Sequence, residues 1–599
     1  KILEVAILTK SDAIHPGYGF LSENAVFSQK CEEKNIEFIG PSAFAINTMG
    51  DKITARKTMI DAGVPVVPGL EDFTGNDDEL LSFAKQIGYP VMVKASAGGG
   101  GKGMRLIHSA DELLNGIKMA KSEALSSFGN DIVYIEKFVS SPHHIEFQVL
   151  ADKHGNIVHV NERECSVQRR HQKVIEESPS PLMTPQLREK MGKTAVLATK
   201  AVNYVGAGTI EFLVDDDLNY YFLEMNTRLQ VEHPITEMTS GIDLVEEQLN
   251  IAFGGKLNYT QDDIKQKGHS FECRVYAEDT DNNFMPNPGN ITYIKEPKGD
   301  DVRIDGYVYS GYTIPLFYDP MISKLIVWDE NREKALEKMK NALKNYRILG
   351  VKHNIAYLHR ILNHENFENG KYDTRFIGLY SDDLEPEQKT NSHELKMAAI
   401  TTLVDYLVGV EENMNELTFS NNNVLNNSNY QVKIDEQSFE LKLIERQAFY
   451  YKISVNEELC SFVLKKATDN EYFFETNSHK ELIVAVLYLN DRKKYQINFG
   501  LNTYLTEIMD FQTTYYNARK GSTTEDNSNV IMTPMPGKIV KILVKEGDEV
   551  DENQNVVIVE AMKMQSEYKA AGKRIVKEIL VNEGDSIEGN QPLVILEEI

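Results

Sequence analysis

Two strand-like segments, Gly208-Thr-Ile-Glu211-Phe-Leu-Val and Tyr220-Tyr-Phe-Leu-Glu224-Met-Asn226, flank the turn Asp216-Asp217-Leu218-Asn219 and read as a β-hairpin. Pairing Asp215 with Tyr220 sets Glu211 directly opposite Glu224. Like charges opposed across a hairpin repel, so a cation is expected between them. A hard divalent ion carrying triphosphate oxygens meets that need, with Asn226 two residues further along the same face. A surface hairpin tolerating an acidic pair is the competing reading. Behind the hairpin, Arg228, Gln230 and Glu232 add a cation, an amide and a second carboxylate. Upstream, Gln168-Arg169-Arg170-His171-Gln172-Lys173 gathers positive charge in an acidic chain. It suits an anionic substrate or, more blandly, a solvated basic face.

Glycines supply a second candidate element. Residues 91–104 read VMVKASAGGGGKGM, and Gly98, Gly100 and Gly103 satisfy GxGxxG. A dinucleotide-binding turn has to open a helix, whereas Met104 to His108 reads as a second strand and the next helix is expected to begin at Ser109 with Glu112 as its capping partner. Lys102 is followed by Gly103 and not by Ser or Thr, which excludes a Walker A loop. A glycine-rich hairpin between two strands suits a mobile flap whose bare N–H groups close over phosphates; a merely flexible loop is the alternative.

The last seventy or so residues repeat themselves. Residues 537–548, GKIVKILVKEGD, return as 572–585, GKRIVKEILVNEGD, and Asn555 to Glu560 return as Pro592 to Glu597. Two such halves bury a shared core as a flattened sandwich with a pseudo-two-fold axis. Glu560-Ala561-Met562-Lys563-Met564-Gln565 falls at their joint, which places Lys563 on an exposed hairpin tip. An isolated surface lysine is the bland reading, yet loop tips are usually polar and two methionines there need a reason. Ala-Met-Lys-Met at such a joint resembles the biotin attachment motif of biotinyl domains, over Met535 to Glu597. Lipoyl domains share the fold but do not normally set their lysine between two methionines.

The elements that must position these groups require several domains. With 599 residues the chain is too long for one core. No apolar run approaches the ~18 residues of a membrane span, so no membrane is expected as a partner. A net charge of -26 argues against nucleic acid. Cys31, Cys165, Cys273 and Cys460 form neither CxxC pairs nor a disulfide-like ladder, which fits a reducing compartment. Up to about residue 380 helical and strand patterns alternate; Asp77 to Ile87 is a helix stopped by Gly88 and Pro90. Asn391 and Glu394 read as the cap of a helix with the apolar face Leu395, Ala398, Ala399, Leu403, Tyr406 and Leu407. Short strands after it (Tyr430 to Ile434, Phe439 to Leu443, Tyr472 to Phe474, Leu482 to Leu489) predict a small β-barrel around that helix. Residues 517–529 lack any large apolar side chain and read as a linker spanning on the order of 20 Å as a coil.

The motifs HPGYGFLSEN (His15 to Asn24), MGDK (Met49 to Lys52) and ECRVYAED (Glu272 to Asp279), together with the segments above, resemble biotin carboxylase, an ATP-grasp enzyme, from residue 1 to about Asp383. The resemblance implies a multidomain α/β and β protein: an ATP-grasp biotin carboxylase, a helix-plus-β-barrel middle domain, and a C-terminal biotinyl domain. The expected divisions are 1–50 for the remainder of the N-terminal domain and 51–270 for the ATP-grasp domain, with a mobile lid at about 67–138. The C-terminal domain of the carboxylase follows at 271–383, the barrel domain at 390–516, the linker at 517–529 and the carrier at 530–599. Family members begin with a strand-turn-helix N-terminal to anything here. The expectation is therefore a chain starting inside its first domain, without any leader, with that domain weakened and dimerisation poorer.

By the same resemblance ATP is contacted by Lys52, Lys94, the flap of Gly98, Gly99, Gly100, Gly101 and Gly103, and Glu136, Lys137, His144, Gln168 and His171. Mg2+ or Mn2+ falls to Glu211, Glu224 and Asn226. Bicarbonate falls to Lys173, Arg228, Gln230 and the Val231 amide, with Glu232 as general base, Arg274 at the ureido oxygen of biotin and biotin itself on Lys563. The implied reaction makes carboxyphosphate from bicarbonate and ATP, carboxylates biotin and delivers carboxybiotin to a partner. No segment remains for a carboxyltransferase, so a carboxyltransferase β subunit and a biotin protein ligase are the expected protein partners, in a hetero-oligomer. The domain order resembles the α subunit of 3-methylcrotonyl-CoA or propionyl-CoA carboxylase, the former favoured and acetyl-CoA kept open. Such enzymes are cytoplasmic in bacteria and lie in the mitochondrial matrix of eukaryotes. Another ATP-grasp ligase, or a carrier with an inert ATP-grasp scaffold, is the alternative.

Overall fold

The computed structural model describes the chain apart from residues 71–76, 96–103, 129–132, 316, 387–391, 417–428, 435–436, 448, 468–470, 477–481, 490–492, 511–528, 534–536, 562–563, 589–590 and 598–599. The glycine flap, Asn391, most of the expected linker, and Met562 with Lys563 therefore lie outside the described residues.

An antiparallel sheet of eight strands carries the centre of the molecule. Its strands are β1 (His143–Ala151), β2 (Ile157–Arg169), β3 (Gln172–Ser178), β4 (Gly206–Val214), β5 (Tyr220–Asn226), β6 (His269–Tyr276), β7 (Val302–Gly306) and β8 (Met321–Asp329). They lie in the order β5-β4-β1-β2-β3-β6-β8-β7. Because β3 pairs with β6, the regions expected as separate ATP-grasp and C-terminal domains share one sheet. Alternation along the strands gives each face its chemistry. Ile145, Phe147 and Val149 of β1 and Ile210 and Phe212 of β4 pack in one cluster with Met191, Ala195 and Ala198 of helix α1 (Pro185–Ala201). That helix starts cleanly: Thr184 Oγ1 accepts from the Leu187 amide at 3.2 Å and Pro185 follows. Phe271, Cys273 and Val275 of β6 join Leu325 and Val327 of β8 in the neighbouring core. The alternate residues, His144, Glu146, Gln148, Glu211, Glu272 and Arg274, are left on the polar side.

The region expected as a lid is a four-stranded sheet in the order Gly69–Leu70, Val133–Lys137, Val91–Ala95, Met104–Ile107, backed by helices Asp77–Ile87 and Ala110–Phe128. Glu112 caps the second helix as expected in kind, though its Oε2 accepts from the His108 amide (3.0 Å).

Eight strands between Asn429 and Asp510 close into a barrel against helix α2 (Ser392–Glu416). Leu395, Ala398, Ala399, Leu403 and Leu407 are buried in its core, with Tyr406 packed alongside. Glu394 accepts from Asn502 Nδ2 (2.8 Å) and Tyr504 Oη (2.6 Å), tying the helix to the barrel wall. Lys295 donates to both oxygens of Glu471, at 3.0 and 2.8 Å, and the Gly350 amide donates to Gln496 Oε1, so the barrel is joined to the preceding unit through polar contacts.

The C-terminal repeat forms two four-stranded sheets over a common core of Ile539, Val557, Val559, Val576, Val594 and Leu596, among others. Each half lends a short strand to the other: Ser586–Ile587 pairs with Gly537–Ile542, and Glu549–Val550 with Arg574–Ile579. Strands Asn555–Ala561 and Met564–Lys569 pair up to Ala561 opposite Met564.

One buried clamp fixes β3 to the C-terminal helices and has a measurable consequence. Glu177, 1% exposed, accepts from Arg332 Nε (2.8 Å), Arg332 Nη2 (3.0 Å) and the Tyr372 hydroxyl, and pairs with His269 Nε2 at 2.6 Å. Burial alone would raise this carboxyl, but Arg332 and His269 pull it down to about 2. Its folded value thus lies below the unfolded one, so its stabilisation is present above the ordinary carboxylate range and is lost as pH falls towards about 2. The span corresponds to about 3 kcal/mol. Glu177→Gln leaves the half-buried Arg332 without its counter-charge and should destabilise the sheet region by about 3–5 kcal/mol at neutral pH. Urea unfolding from pH 7 to pH 3 should show the gap narrowing as pH falls; a gap independent of pH would contradict the assignment.

Candidate active site

The hairpin forms, with a correction to its register. Val214, not Asp215, pairs with Tyr220, because Asp215 is drawn into the turn: its Oδ1 accepts the Asp217 and Asn219 amides, at 3.0 and 2.8 Å. A β-bulge between Glu211/Phe212 and their partners absorbs the one-residue difference, and Glu211 still faces Glu224. Asn226 donates to Glu211 Oε1 at 2.9 Å.

Lys173 is the hub of the polar face. An ammonium has three donors, and this one directs them to Glu146, to Glu211 Oε1 at 3.0 Å and to Glu232 Oε1 at 2.6 Å. A bulge in β3 makes this orientation possible: Ile175 opposes Val167 and Lys173 opposes Gln168, so Val174 is the extra residue. Beneath the hub Arg163, fully buried, binds Glu146 Oε1 (2.5 Å), Gln148 Oε1 (2.8 Å), Thr236 Oγ1 (2.9 Å) and Gln230 Oε1 (2.7 Å). Arg274 reaches Glu232 Oε2 with Nη2 (2.8 Å) and Glu176 Oε1 with Nε (2.7 Å).

Glu232 sits at the N-terminus of the helix His233–Ser240 without capping it, so both its oxygens serve the cations while the helix end favours negative charge. The loop leading to it is pinned along its length. Arg228 Nε and the Thr227 amide donate to Glu23 (2.8 and 3.0 Å), Gln230 Nε2 donates to Glu211 Oε1 (2.8 Å), and Lys324 donates to the Val231 carbonyl (2.8 Å).

Charge follows geometry. Although burial opposes it, Lys173, Arg274 and Arg163 hold the Glu232 carboxyl well below the usual range, and Lys173 and His144 do the same for Glu211. Glu224 is pushed up, first by the charge of Glu211 facing it and then by burial. His144, despite burial, is raised by Glu211, 3.0 Å away. A carboxylate whose neighbour's negative charge raises it is a site that gains by receiving a cation, and the donor set of two carboxylates and an amide oxygen suits a hard divalent ion. His144, Glu146 and Glu211 also offer ligand atoms within 4.8 Å of one another.

A cavity of about 380 Å³ opens beside Glu224, between the hairpin and the lid sheet. Lys52, Lys94, Glu136, Glu224 and Asn226 line it. Lys94 and Glu136 are ion-paired with each other across the lid strands. Lys137, next to Glu136, does not belong to the described lining. Gln168 bonds His144 Nδ1 at 2.8 Å, whereas His171 is exposed on the turn between β2 and β3 with φ 65°. The basic run thus splits: Lys173 enters the carboxylate cluster, while Arg169 pairs with Glu278 (2.8 Å) and Arg170 with Asn283 (3.1 Å), binding β2 to the following unit. Sequence reasoning did not single out Glu146, Arg163, Glu176, Glu272 or Lys324.

The chain is similar to known proteins along most of its length. Family models match at residues 1–46 (biotin carboxylase, N-terminal domain), 51–260 (carbamoyl-phosphate synthase L chain, ATP binding domain), 272–378 (biotin carboxylase C-terminal domain) and 529–596 (biotin-requiring enzyme). Biotin carboxylase 1, chloroplastic, of Populus trichocarpa is 53% identical over 388 residues, covering 65% of this chain and 74% of that protein. The mitochondrial methylcrotonoyl-CoA carboxylase subunit alpha of Dictyostelium discoideum is 40% identical over 588 residues, covering 94% of this chain and 82% of that protein. Among solved structures, the biotin carboxylase domain of Hydrogenobacter thermophilus 2-oxoglutarate carboxylase, in complex with MgADP, ADP and bicarbonate, superposes with TM-score 0.60 at 45% identity, covering 65% of this chain and 85% of that one.

Proposed function

The chain belongs to the biotin-dependent carboxylases, and we propose that it is the α subunit of an acyl-CoA carboxylase, with 3-methylcrotonyl-CoA as the favoured acceptor of its partner. It is an ATP-dependent carboxylase that acts on biotin and carries a biotinyl domain of its own. One observation carries the assignment to an α subunit: the similarity to methylcrotonoyl-CoA carboxylase alpha subunits runs through 94% of the chain, barrel included. Biotin carboxylases alone match about the first two thirds. Another ATP-grasp ligase accounts for residues 51–260 but leaves the biotinyl repeat without a purpose.

The roles we assign follow from the charges. Bicarbonate is an anion approaching a polyanion, so Lys173 and Arg228 hold it against repulsion, with Gln230 and the Val231 amide fixing its plane. Lys173 turns from its carboxylates towards the substrate, and Glu232, ionised and 2.6 Å from the Lys173 ammonium, takes the proton as the bicarbonate oxygen attacks the γ-phosphorus of ATP. ADP leaves from the cavity lined by Lys52, Lys94 and Glu136. Mg2+ on Glu211, Glu224 and Asn226 would supply electrostatic stabilisation of the transferring phosphoryl group. Arg274 holds negative charge building on the ureido oxygen of biotin, which is joined to Lys563. A carboxyltransferase β subunit and a biotin protein ligase complete the pathway of the carboxyl group and of the cofactor. Among the described residues no helix is long and apolar enough to cross a membrane. The mitochondrial matrix is the proposed site in a eukaryote and the cytoplasm in a bacterium.

Glu232→Gln keeps the shape and removes the base. ADP release that depends on bicarbonate should fall by about 10²–10⁴-fold; a parent-like rate would remove Glu232 from the mechanism. For the acceptor, the chain mixed with carboxyltransferase β subunits should fix labelled bicarbonate into 3-methylcrotonyl-CoA faster than into propionyl-CoA or acetyl-CoA. The reverse order would overturn the substrate assignment and leave the biotin chemistry standing.

A further inference from the structure

Behind Arg274 lies a pair of carboxyls that the reaction above does not use. Glu176 of β3 and Glu272 of β6 are direct cross-strand partners, and both are fully buried. Glu176 Oε1 accepts from Arg274 Nε (2.7 Å), but Glu176 Oε2 and both oxygens of Glu272 have no hydrogen-bond partner. A buried carboxylate left in that condition is strongly disfavoured. Two carboxyls opposed in register cannot both be ionised at low cost; one proton held between them lets a neutral carboxyl donate to a carboxylate and removes most of the unpaired oxygens at once.

We propose that Glu176 and Glu272 share one proton and together act as a positioning device for Arg274, with Glu176 as the anion that holds the Nε edge and Glu272 as the acid that holds Glu176. The device rests on the reading of Arg274 as the group facing biotin. Arg274 is shared between two carboxylates, Glu232 on its Nη2 and Glu176 on its Nε. When Glu232 accepts a proton from bicarbonate, its hold on Nη2 weakens and that edge turns to the second substrate. The plane of the guanidinium is kept by the Nε contact, which does not change. Without Glu176 the guanidinium would stay with Glu232 or swing.

The surroundings decide which carboxyl keeps the proton. Lys173 on β3, Arg274 and Tyr276 on β6, Lys324 on β8, Asp305 on β7 beside Lys324 (3.2 Å), Glu232 on the loop, Glu146 on β1 and the buried thiols of Cys165 and Cys273 are the titratable or charged groups around the pair. Burial raises Glu176 to about 7, with Arg274 pulling it down and Glu232 pushing it up. Burial raises Glu272 well above the usual range, with Lys324 offsetting only part of it. Glu272 is therefore the acid, and the singly protonated pair forms as pH rises through about 7.

The test uses the full chain, biotinylated on Lys563 or grown without biotin, and reads the ratio of bicarbonate-dependent ADP release in the two forms. Glu176→Gln should lower that ratio by about 10²-fold, the cost of a misplaced group, act on kcat with little change in the KM for bicarbonate, and abolish the rise of the biotin-stimulated rate through pH 7. Glu272→Gln, whose amide still donates to Glu176, should keep both the ratio and the rise. A Glu176→Gln chain with the parent's ratio and pH profile would overturn the proposal, as would a Glu272→Gln chain as impaired as Glu176→Gln. Loss of ADP release in the biotin-free Glu232→Gln chain reports on the bicarbonate step alone, so failure of the positioning device and failure of the enzymatic reading are told apart.

Discussion

Replacing Lys173 by Gln should reduce bicarbonate-dependent ADP release by about 10²–10³-fold or more, the range for losing one preorganised charge at a reacting centre. Three carboxylates converge on its ammonium, two of them at 3.0 and 2.6 Å. An amide cannot neutralise them. Lys173 is the leading influence that holds both Glu232 and Glu211 low against burial, so in the variant both carboxyls take up protons more readily. The residual rate should then acquire a limb that rises with pH, shifted upward from the parent's, because the base is no longer ionised throughout. Leaving buried charge uncompensated also costs about 3–5 kcal/mol, so the assay needs a companion measure of folding. Affinity for ADP without the metal serves, since Lys173 does not belong to the lining of the cavity beside Glu224; it should change far less than the rate. Parent-like bicarbonate dependence in a folded variant would place the substrate elsewhere.

The reach of the sequence can be judged residue by residue. Glu211 and Glu224 were legible because a hairpin converts a spacing into a facing pair, and the miscounted turn did no harm because a bulge restored the register. The barrel helix was legible from its apolar stripe. Lys173, Glu232 and Arg274 come from three distant segments, and their meeting followed from family resemblance, not from any local pattern. Glu146, Gln148 and Arg163 were missed for a physical reason. A strand alternating polar and apolar residues reads as one with a wet face, and His143-His144-Ile-Glu146-Phe-Gln148-Val is such a strand. Here the polar face is buried and satisfied from within, with Arg163 fully enclosed by acceptors. A signal did exist: charges of both signs also stand in Glu162-Arg163-Glu164 and Glu272-Cys273-Arg274, on β2 and β6 of the same sheet. The run at 168–173 divides, since charge density along the chain says nothing of which side chains a β-turn sends inward. His171 is exposed there, and Arg169 and Arg170 bind protein groups.

The other large effect concerns Lys563. Lys563→Arg should abolish biotinylation altogether: intact-mass measurement after coexpression with a biotin protein ligase should show the biotin increment in the parent and none in the variant. The argument is chemical. Amide formation needs a neutral amine as nucleophile, and lysine can supply one at modest cost, whereas a guanidinium stays protonated and delocalised. Size and charge are otherwise kept, so folding of the carrier is not at stake; its core of Ile539, Val557, Val576 and Val594 lies away from the joint where Ala561 pairs with Met564. The same variant separates the two halves of the activity. Carboxyl transfer to an acyl-CoA in the presence of the partner subunit should vanish, because the carrier is empty. Bicarbonate-dependent ADP release driven by free biotin should persist, because Lys173, Glu232 and Arg274 are untouched. A variant that still gained the biotin mass would move the attachment point to another lysine. A variant that lost ADP release with free biotin as well would show that Lys563 contributes to the catalytic site itself.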